Sequence, residues 1–489
     1  MKKLITGYDN NGTIYDNNIE IIREINSNYY SKAVEIFEIF EANNLEKIGI
    51  VNTKLNVENK SFIHKKYPIS YPFEWSINMF KDAILLHLKL NIALDKYDLC
   101  LKDSLPNNIV FNYSKPVFVD FLSIVKKQDL RNEKWLNNEK KFNDLRMAIF
   151  EQMMLPFMII PFIAYAQNKP DLARFLLKNK ACNAGGQTPK FEDLNIDLNS
   201  FKQPCFIKKI KNIFKKNKIT KNNNVENLIE HILNIRNYSF TEFHQKLISL
   251  IEKIDVSPPA SNYDSYYENK KENFNFDDKS NWKNKQNVVY ESIKVNDEIE
   301  TILDLGANTG WFSMLGESLN KKVIAIEIDE SSIDKIYKTS LLTQPNILSI
   351  QGSFLDIESV VFGDFLDDPI YKNQDFKKIP IFTSMLERFK SDLVMCLALS
   401  HHLILGEGLE IKKVIKQLAE LTNKKLVLEH IELDDELIKN DPNFFKNIAK
   451  FNRQNYNIDI VIKEAMNYFS SYVIKDSHPN SRKLIIFNK

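Results

Sequence analysis

The chain has few cysteines, and they form no recognisable pattern. Its 489 residues include four cysteines, which lie far apart and contain no C-x-x-C pair. Structural zinc sites and disulfide frameworks need cysteines at characteristic spacings, so the sequence predicts neither, and no metal site is expected. Isolated cysteines are typical of a reducing compartment, which favours a cytoplasmic location. The four are Cys100, Cys182, Cys205 and Cys396.

The chain also lacks an excess of charge of one sign. It has 66 basic and 64 acidic residues, which gives a net charge of +2. Domains that bind nucleic acid are usually strongly basic, so no nucleic-acid partner is expected. The segment 208–224 is rich in Lys and Asn. It is interpreted as a solvated surface rather than as a site for a polyanion.

No apolar run is long enough to span a bilayer. The longest, residues 153–166, is interrupted by Pro156 and Pro161. It is shorter than the roughly 20 residues that a spanning helix needs, so a buried, kinked helix is predicted and no transmembrane segment. The N-terminus turns polar too early for a signal peptide. The length of the chain predicts two or three domains.

A strand, a glycine turn and a second strand carry the strongest functional signal. The apolar strand 301–305 runs into a turn from Gly306 to Gly310, and a second apolar strand, 322–328, contains Glu327 near its end. Small residues let the backbone approach a ligand, and a carboxylate at the end of the next strand can accept hydrogen bonds from ribose hydroxyls. The segment therefore predicts a nucleoside-binding βαβ unit.

The spacing of the glycines bears on which cofactor is bound. Dinucleotide-binding enzymes use G-x-G-x-x-G, but here Ser313 stands where a further glycine is expected. The pattern D-L-G-x-N-x-G resembles motif I of class I S-adenosylmethionine (SAM) methyltransferases, and Glu327 matches the acidic residue of their motif II. A Rossmann-like domain without a cofactor is the alternative.

The resemblance implies a set of SAM contacts. Gly306, Asn308 and Gly310 would line the methionine end of SAM, Asp304 would organise the loop, and Glu327 would hold the ribose. Residues after the third strand fall where this fold usually contacts adenine. The implied cofactor-binding residues are Asp304, Gly306, Asn308, Thr309, Gly310, Glu327, Ile328, Ser353 and Phe354.

The second half of the chain has a continuous α/β pattern. Further strands are predicted at 347–351, 393–399 and 425–429, with helices at 277–295 and 408–422. Two short strands close the chain around the turn 476–481. Alternating strands and helices predict a parallel sheet, and the final pair predicts an antiparallel edge. This pattern resembles the Rossmann-like class I methyltransferase sheet with its terminal antiparallel hairpin.

The first half contains a second constellation. Asp103 and Asn108 lie in one loop, and Asp120 ends a strand. The spacing resembles the catalytic loop and metal-binding aspartate of kinase-like folds, in which these residues act in phosphotransfer. No glycine-rich loop or evident phosphate-binding lysine precedes the loop, and residues 20–43 are predicted to be helical. A structural or binding remnant in an α+β domain is preferred, and Mg-ATP-dependent phosphotransfer is the alternative.

Blocks from both halves together resemble one protein family. The segment 69–88, the Leu-Lys-Asp loop and the Ala-Leu-Ser-His-His-Leu block at 398–403 resemble large bacterial methyltransferases related to host-specific nodulation proteins. The predicted organisation is a kinase-like α+β domain at 1–180, a helical connector at 181–260 and a methyltransferase domain at 261–489.

The catalytic candidates lie at the carboxyl ends of the strands, where ligands of open α/β sheets bind. His401 and His402 follow the fourth strand, and either is a candidate general base; the alternative is a role in capping or packing. Glu429 ends the fifth strand and could orient a histidine or contact the acceptor. Lys285 precedes the glycine turn, as do three tyrosines, and these side chains could close over SAM. The tyrosines are Tyr263, Tyr266 and Tyr267.

Missing signatures narrow the choice of acceptor. No Asn-Pro-Pro-Tyr or Asp-Pro-Pro-Tyr follows the fourth strand, so methylation of adenine or glutamine amines is not expected. Cys396 lies inside that strand and no Pro-Cys follows it, which argues against cytosine C5. The leading hypothesis is methyl transfer to oxygen or nitrogen of a small molecule or glycan. A non-catalytic assembly protein is a further alternative, and the oligomeric state is not predicted.

Overall fold

A computed structural model describes most of the chain. The described residues are 2–4, 11–132, 136, 142–182, 223–261, 274–294, 298–342, 346–359, 361–362, 380–440 and 456–489. The predictions for Cys205, for the three tyrosines at 263, 266 and 267, and for 208–222 lie outside these residues.

A five-stranded antiparallel sheet opens the N-terminal half, with helix α1 (Tyr30–Ala42) between its third and fourth strands. The strand order is β1-β2-β3-β5-β4, where β1 to β5 are Lys2–Leu4, Gly12–Asp16, Glu20–Ile25, Thr53–Asn56 and Ser61–Lys65. The predicted helix at 20–43 is therefore wrong over its first part. Residues Glu20–Ile25 are extended because β2 and β5 pair with them on both sides.

The long helix α2 (Ile77–Asp95) follows, and the Ser76 hydroxyl caps its first turn. Two short antiparallel pairs come next. One joins β6 (Leu99–Leu101) to β9 (Ile124–Lys126), and the other joins β7 (Ile109–Asn112) to β8 (Lys115–Phe118). The Asp103 loop connects β6 to β7, and the carbonyl of Leu105 in this loop lies 3.2 Å from His87 Nε2 in α2.

Helix α3 (Leu145–Ala166) contains the longest apolar run. Its middle, Phe150–Ile159, is wound as a π-helix around Pro156, which has no N–H group to donate to a regular helical turn. Within the described ranges, α3 is the single helix long and apolar enough to cross a membrane, and 72% of its most apolar window is buried inside the protein. Three further helices pack around it: α4 (Pro170–Cys182), α5 (Asn223–Leu233) and α6 (Phe240–Glu252).

A seven-stranded, mostly parallel sheet organises the C-terminal half. Strands β10 (Thr301–Leu305), β11 (Lys322–Glu327) and β12 (Ile347–Gln351) are parallel neighbours. A small separate hairpin follows, made of β13 (Val361–Phe362) and β14 (Pro380–Phe382). The remaining strands of the large sheet are β15 (Ser391–Cys396), β16 (Thr422–Ile431), β17 (Ser471–Asp476) and β18 (Arg482–Asn488).

The strand order is β12-β11-β10-β15-β16-β18-β17, with β18 antiparallel to both of its neighbours. The predicted parallel sheet with a terminal antiparallel hairpin is confirmed. The fourth strand was predicted at 393–399 but ends at Cys396, because Ala398 adopts a left-handed conformation with φ of 52°. The order reverses between β10 and β15, which is where ligands of open α/β sheets bind.

Seven helices, α7 to α13, accompany this sheet in the described residues. The predicted helix 277–295 begins later, at Asn284, and the predicted helix 408–422 is Ile411–Leu421. The seven are Asn284–Lys294, Trp311–Ser318, Glu330–Leu342, Met385–Arg388, Ile411–Leu421, Glu436–Asn440 and Ile458–Ala465.

The two halves share a packed boundary. Glu74 and Arg388 form an ion pair across it, and their side chains are only 2% and 5% exposed. The rings of Phe111 and Tyr337 meet edge to face with centroids 6.1 Å apart. One hydrophobic cluster continues from the N-terminal half into the C-terminal sheet, so the boundary is a core rather than a loose contact.

Candidate functional site

The glycine turn, residues 306–310, leaves the carboxyl end of β10 in a conformation that demands small residues. Gly306 has a φ of +69° and Gly310 a φ of +86°, and Asn308 between them is also left-handed at 51°. Glycine reaches this region without strain, and asparagine is among the few other residues that tolerate it. The turn is held to the neighbouring strand because the N–H of Gly306 donates to Ile326 O at 2.9 Å.

Asp304 fixes the turn from below. Its side chain is 2% exposed, and its Oδ2 accepts from the Ser313 hydroxyl in α8 at 2.6 Å. This bond ties the end of β10 to the helix that follows the turn. Burial raises the pKa of Asp304 to about 6, and the hydrogen bond from Ser313 opposes that rise. The loop-organising role that the resemblance implies for Asp304 stays a prediction.

Glu327, at the end of β11, reaches across to the glycine turn. Its Oε2 accepts from the N–H of Asn308 at 2.9 Å. Its Oε1 accepts from the N–H groups of Ile328 at 2.7 Å and of Asp329 at 3.0 Å. Burial raises the pKa of Glu327, and these backbone bonds act in the opposite direction. The carboxylate therefore stands at a fixed place between the two loops.

Apolar surface is exposed next to this carboxylate. Ile328 is 65% exposed and Leu355, after β12, is 46% exposed. Phe354 is 6% exposed and belongs to the hydrophobic core, while the Ser353 hydroxyl accepts from the N–H of Leu355. The adenine contact of Phe354 stays a prediction, and the exposed apolar surface at this strand end is that of Leu355.

The two histidines after β15 differ in their surroundings. His401 is 1% exposed, and burial, with His402 and Arg482 nearby, lowers its pKa to about 2. His402 is exposed, and its ring centroid lies 4.2 Å from that of His401. Because His401 stays neutral and buried, His402 is the one of the two that a substrate can reach.

A buried charged cluster lies beside these histidines. Lys285 Nζ in α7 is 2.6 Å from Glu429 Oε2 at the end of β16, and the Glu429 side chain is fully buried. The Ser477 hydroxyl donates to the other carboxylate oxygen. Lys285 also lies over the ring of Phe312 in α8 at 5.4 Å. The cluster thus joins helix α7 to the carboxyl edge of the sheet. No local sequence motif marks Ser477 as part of it.

The N-terminal constellation is also brought together. Arg23 Nη1 in β3 lies 2.6 Å from Asp120 Oδ1, and the Arg23 side chain is 4% exposed. Burial and the nearby Asp120 raise the pKa of Asp103 to about 6. The Asn108 amide donates to the Asp103 carbonyl at 3.4 Å. No sequence signal marks Arg23, because its strand was predicted as helix.

No cluster of three or more His, Cys, Asp or Glu side chains that could hold a metal ion occurs in the part of the chain that the structure describes. Cys100 and Cys396 are buried and reduced.

The sequence was compared with those of known proteins. No family model matches the chain. The nodulation protein NoeA from Rhizobium meliloti (strain 1021) is 24% identical over 377 residues, which cover 76% of this chain and 70% of NoeA. The resemblance to nodulation-related proteins that the sequence predicted is confirmed by this relative.

The solved structures that match this chain include methyltransferases. The bifunctional kinase-methyltransferase WbdD is 14% identical with a TM-score of 0.30, and the match covers 42% of this chain and 39% of WbdD. The magnesium protoporphyrin IX methyltransferase ChlM from Synechocystis PCC 6803, solved with bound SAH, is 13% identical with a TM-score of 0.26, covering 42% of this chain and 81% of ChlM. The chain thus spans about two fifths of the length of WbdD.

Proposed function

We propose that this chain is a SAM-dependent methyltransferase that transfers a methyl group to an oxygen or nitrogen of a small molecule or glycan. The observation that carries the proposal is the Glu327 carboxylate, which is held by the Asn308 N–H on one side and by the start of the next loop on the other. A ligand that lies across the glycine turn meets this carboxylate at the end of β11, next to the strand β10 at which the order reverses.

The residues present fit SAM. A carboxylate has about four lone-pair sites, so Glu327 can accept from one ribose hydroxyl in addition to its three backbone donors. The exposed side chains of Ile328 and Leu355 offer apolar surface for an adenine ring. Gly306 and Gly310 allow the left-handed backbone of this turn, and the methionine end would lie against that backbone.

The chain's own residues have modest chemical tasks. When bound, SAM supplies a methyl group already activated by its sulfonium charge. The protein orients the acceptor, excludes water and, for a hydroxyl acceptor, removes a proton. His402 is the accessible candidate base at the rim, and the Lys285–Glu429 pair fixes the wall beside it. Residues 1–180 would recognise the acceptor or a partner, in a cytoplasmic protein.

The test is a calorimetric titration of the purified chain with S-adenosylhomocysteine (SAH), beside Gly306→Arg. We expect micromolar binding to the unchanged chain and none to the variant. Gly408→Arg is the matched control, because Gly408 has a similar φ of +74° and open space around it but lies outside the glycine turn. A folded, unchanged chain that ignores SAH would refute the proposal.

Phosphotransfer in the N-terminal half is the second candidate. The proximity of Asp103 and Asp120 favours it. It predicts Mg-ATP binding that Asp120→Asn abolishes. Asp129→Asn is the control, because Asp129 pairs with the half-exposed Lys32 on the surface. Absence of Mg-ATP binding in the intact chain would leave the N-terminal half as a recognition or structural domain.

A further inference from the structure

Backbone hydrogen bonds tie the Glu327 carboxylate to the start of helix α9. Only Ile328 and Asp329 separate Glu327 from the helix, and both of their N–H groups donate to Glu327 Oε1. Asp329 Oδ2 in turn accepts from the N–H of Ser332 in the first helical turn at 2.8 Å. A displacement of the helix therefore displaces the carboxylate.

The same helix also supports the glycine turn. A Cβ atom at Gly310 would lie 2.6 Å from Cγ1 of Ile336, so the turn rests directly on this side chain. Ile336 is fully buried. Helix α9 thus contacts both loops that the proposed SAM site needs.

The N-terminal half grips this helix from the other side. Asp334 is 2% exposed and accepts from the Ser76 hydroxyl at 2.7 Å and from the Asn78 amide at 2.8 Å. One turn earlier, Glu330 accepts from the N–H of Ile77 at 3.2 Å. Residues of α2 and of the loop before it therefore lie along the helix.

Two further contacts between the N-terminal half and helix α9 lie along the same helix. Arg174 in α4 forms an ion pair with Glu330. Near the other end, the Tyr337 hydroxyl donates to Asp82 Oδ2 at 2.6 Å. Positions 330, 334 and 337 lie on one face of the helix. We call Ser76, Asn78, Asp82 and Arg174 together the bracket.

The bracket contacts side chains of helix α9 that are buried. Asp334 and Tyr337 are almost fully buried, so their hydrogen bonds are not exchanged for bonds to water without a large penalty. None of the bracket residues belongs to the glycine turn or to the ends of β11 and β12. Their influence on a ligand would have to pass through helix α9.

We infer that the N-terminal half positions the SAM site by holding helix α9 through the bracket. Asp334, Glu330 and Tyr337 are positioning residues, which set the distance between Glu327 and the glycine turn without touching the cofactor. The inference rests on the proposed function. It assigns residues 76–82 and Arg174 a role in cofactor affinity in addition to any role in recognising the acceptor.

The experiment measures the dissociation constant of SAH by calorimetry in the full chain and in Asn78→Ala and Tyr337→Phe. Each variant should weaken SAH binding by about tenfold, with unchanged stoichiometry and circular dichroism. Amides of 328–333 should exchange hydrogen faster. In a double-mutant cycle, Asn78→Ala combined with Asp334→Ala should weaken binding no more than Asp334→Ala alone, because both remove the same contact.

Lys338→Ala is the matched control. It removes an ion pair to the same Asp334, but from a lysine of α9 itself that is 49% exposed. It should change neither SAH affinity nor exchange. Bracket variants that bind SAH like the unchanged chain would overturn the inference. If the unchanged chain does not bind SAH, the proposed function fails instead, and unaltered exchange at 328–333 in the variants would then overturn the bracket independently.

Discussion

Lys285 Nζ lies 2.6 Å from Glu429 Oε2, and the glutamate side chain has no exposed surface. This pair connects helix α7, which precedes the glycine turn, to the end of strand β16. A buried carboxylate that loses its cation must either remain charged in an apolar setting or take up a proton, and both states are unfavourable. The pair therefore has consequences for stability that a surface pair lacks.

Lys285→Met should reduce the free energy of unfolding by about 3 to 5 kcal/mol, measured by urea denaturation, because Glu429 is left without its cation. Adding Glu429→Gln should recover part of the loss, since the uncompensated charge disappears. The control is Lys483→Met, which breaks a pair with the 61% exposed Asp476 and should change stability by less than about 1 kcal/mol. Equal effects of the two lysine substitutions would contradict this account.

Gly310→Ala should weaken SAH binding at least tenfold, because the new Cβ strains a left-handed backbone by roughly 1 to 2 kcal/mol and crowds Ile336. Gly316→Ala is the comparison. Its Cβ would lie 2.9 Å from Ile302 Cδ1 in the core, and its backbone is helical. We expect Gly316→Ala to lower the melting temperature without changing the dissociation constant. The idea is wrong if Gly310→Ala binds SAH normally.

His401 and His402 should react differently with diethyl pyrocarbonate, which modifies accessible neutral imidazoles. His402 is exposed and His401 is 1% exposed. Fragment-ion mass spectrometry of the native protein should find the modification on His402, and on His401 only after unfolding. The variant His402→Gln provides the control spectrum. Modification of both rings at similar rates would remove the basis for choosing His402 as the accessible base.

Acidification should destabilise the fold through His244. Burial lowers its pKa from 6.5 to about 4, although the Phe240 carbonyl holds its Nδ1 proton. Between these values the unfolded chain binds a proton that the folded chain does not, so stability is lost as the pH falls from about 6.5 to about 4. The loss attributable to one group is at most about 1.4 kcal/mol per pH unit.

His244→Asn should reduce this pH dependence, because an asparagine amide can still donate to the carbonyl but does not titrate. The measurement is urea unfolding at pH 7.0, 6.0 and 5.0 for both chains. His402→Asn is the control, since that ring is exposed. A slope in His244→Asn that equals the slope of the unchanged chain would show that the buried imidazole does not carry the effect.

The sheet and the glycine turn could be predicted because their signals are local. Thr301–Leu305 and Ile347–Gln351 were predicted with their observed bounds, since each is an apolar run that ends at a glycine turn or a Gly-Ser pair. Strand β3 was missed because Ile21, Ile22 and Ile25 suit either a helix or a strand. Its pairing with β2 and β5 decides the outcome, and that information lies outside the segment.

The contacts around helix α9 had no local signal at all. Asp334 reads as an ordinary polar position in an exposed helix, yet it is 2% exposed because residues 76–78, about 256 positions earlier, cover it. The same holds for Lys285 and Glu429, which were separate candidates until the sheet brought them together. Spacing along the chain predicts elements, whereas burial of a charge depends on which elements meet.

The ion pair between Glu74 and Arg388 can form only late during synthesis of the chain. The two residues are 314 positions apart. At about 5 to 20 residues per second, Glu74 waits roughly 15 to 60 seconds on the ribosome before its partner is made. Until helix α9 and Arg388 have been made, the surface that will face the C-terminal half is at least partly uncovered. A ribosome-bound chain that ends before helix α9 should be cut by protease near residues 69–82, and protection there would contradict this. The N-terminal half thus emerges first but completes its packing only after the C-terminal half has been made.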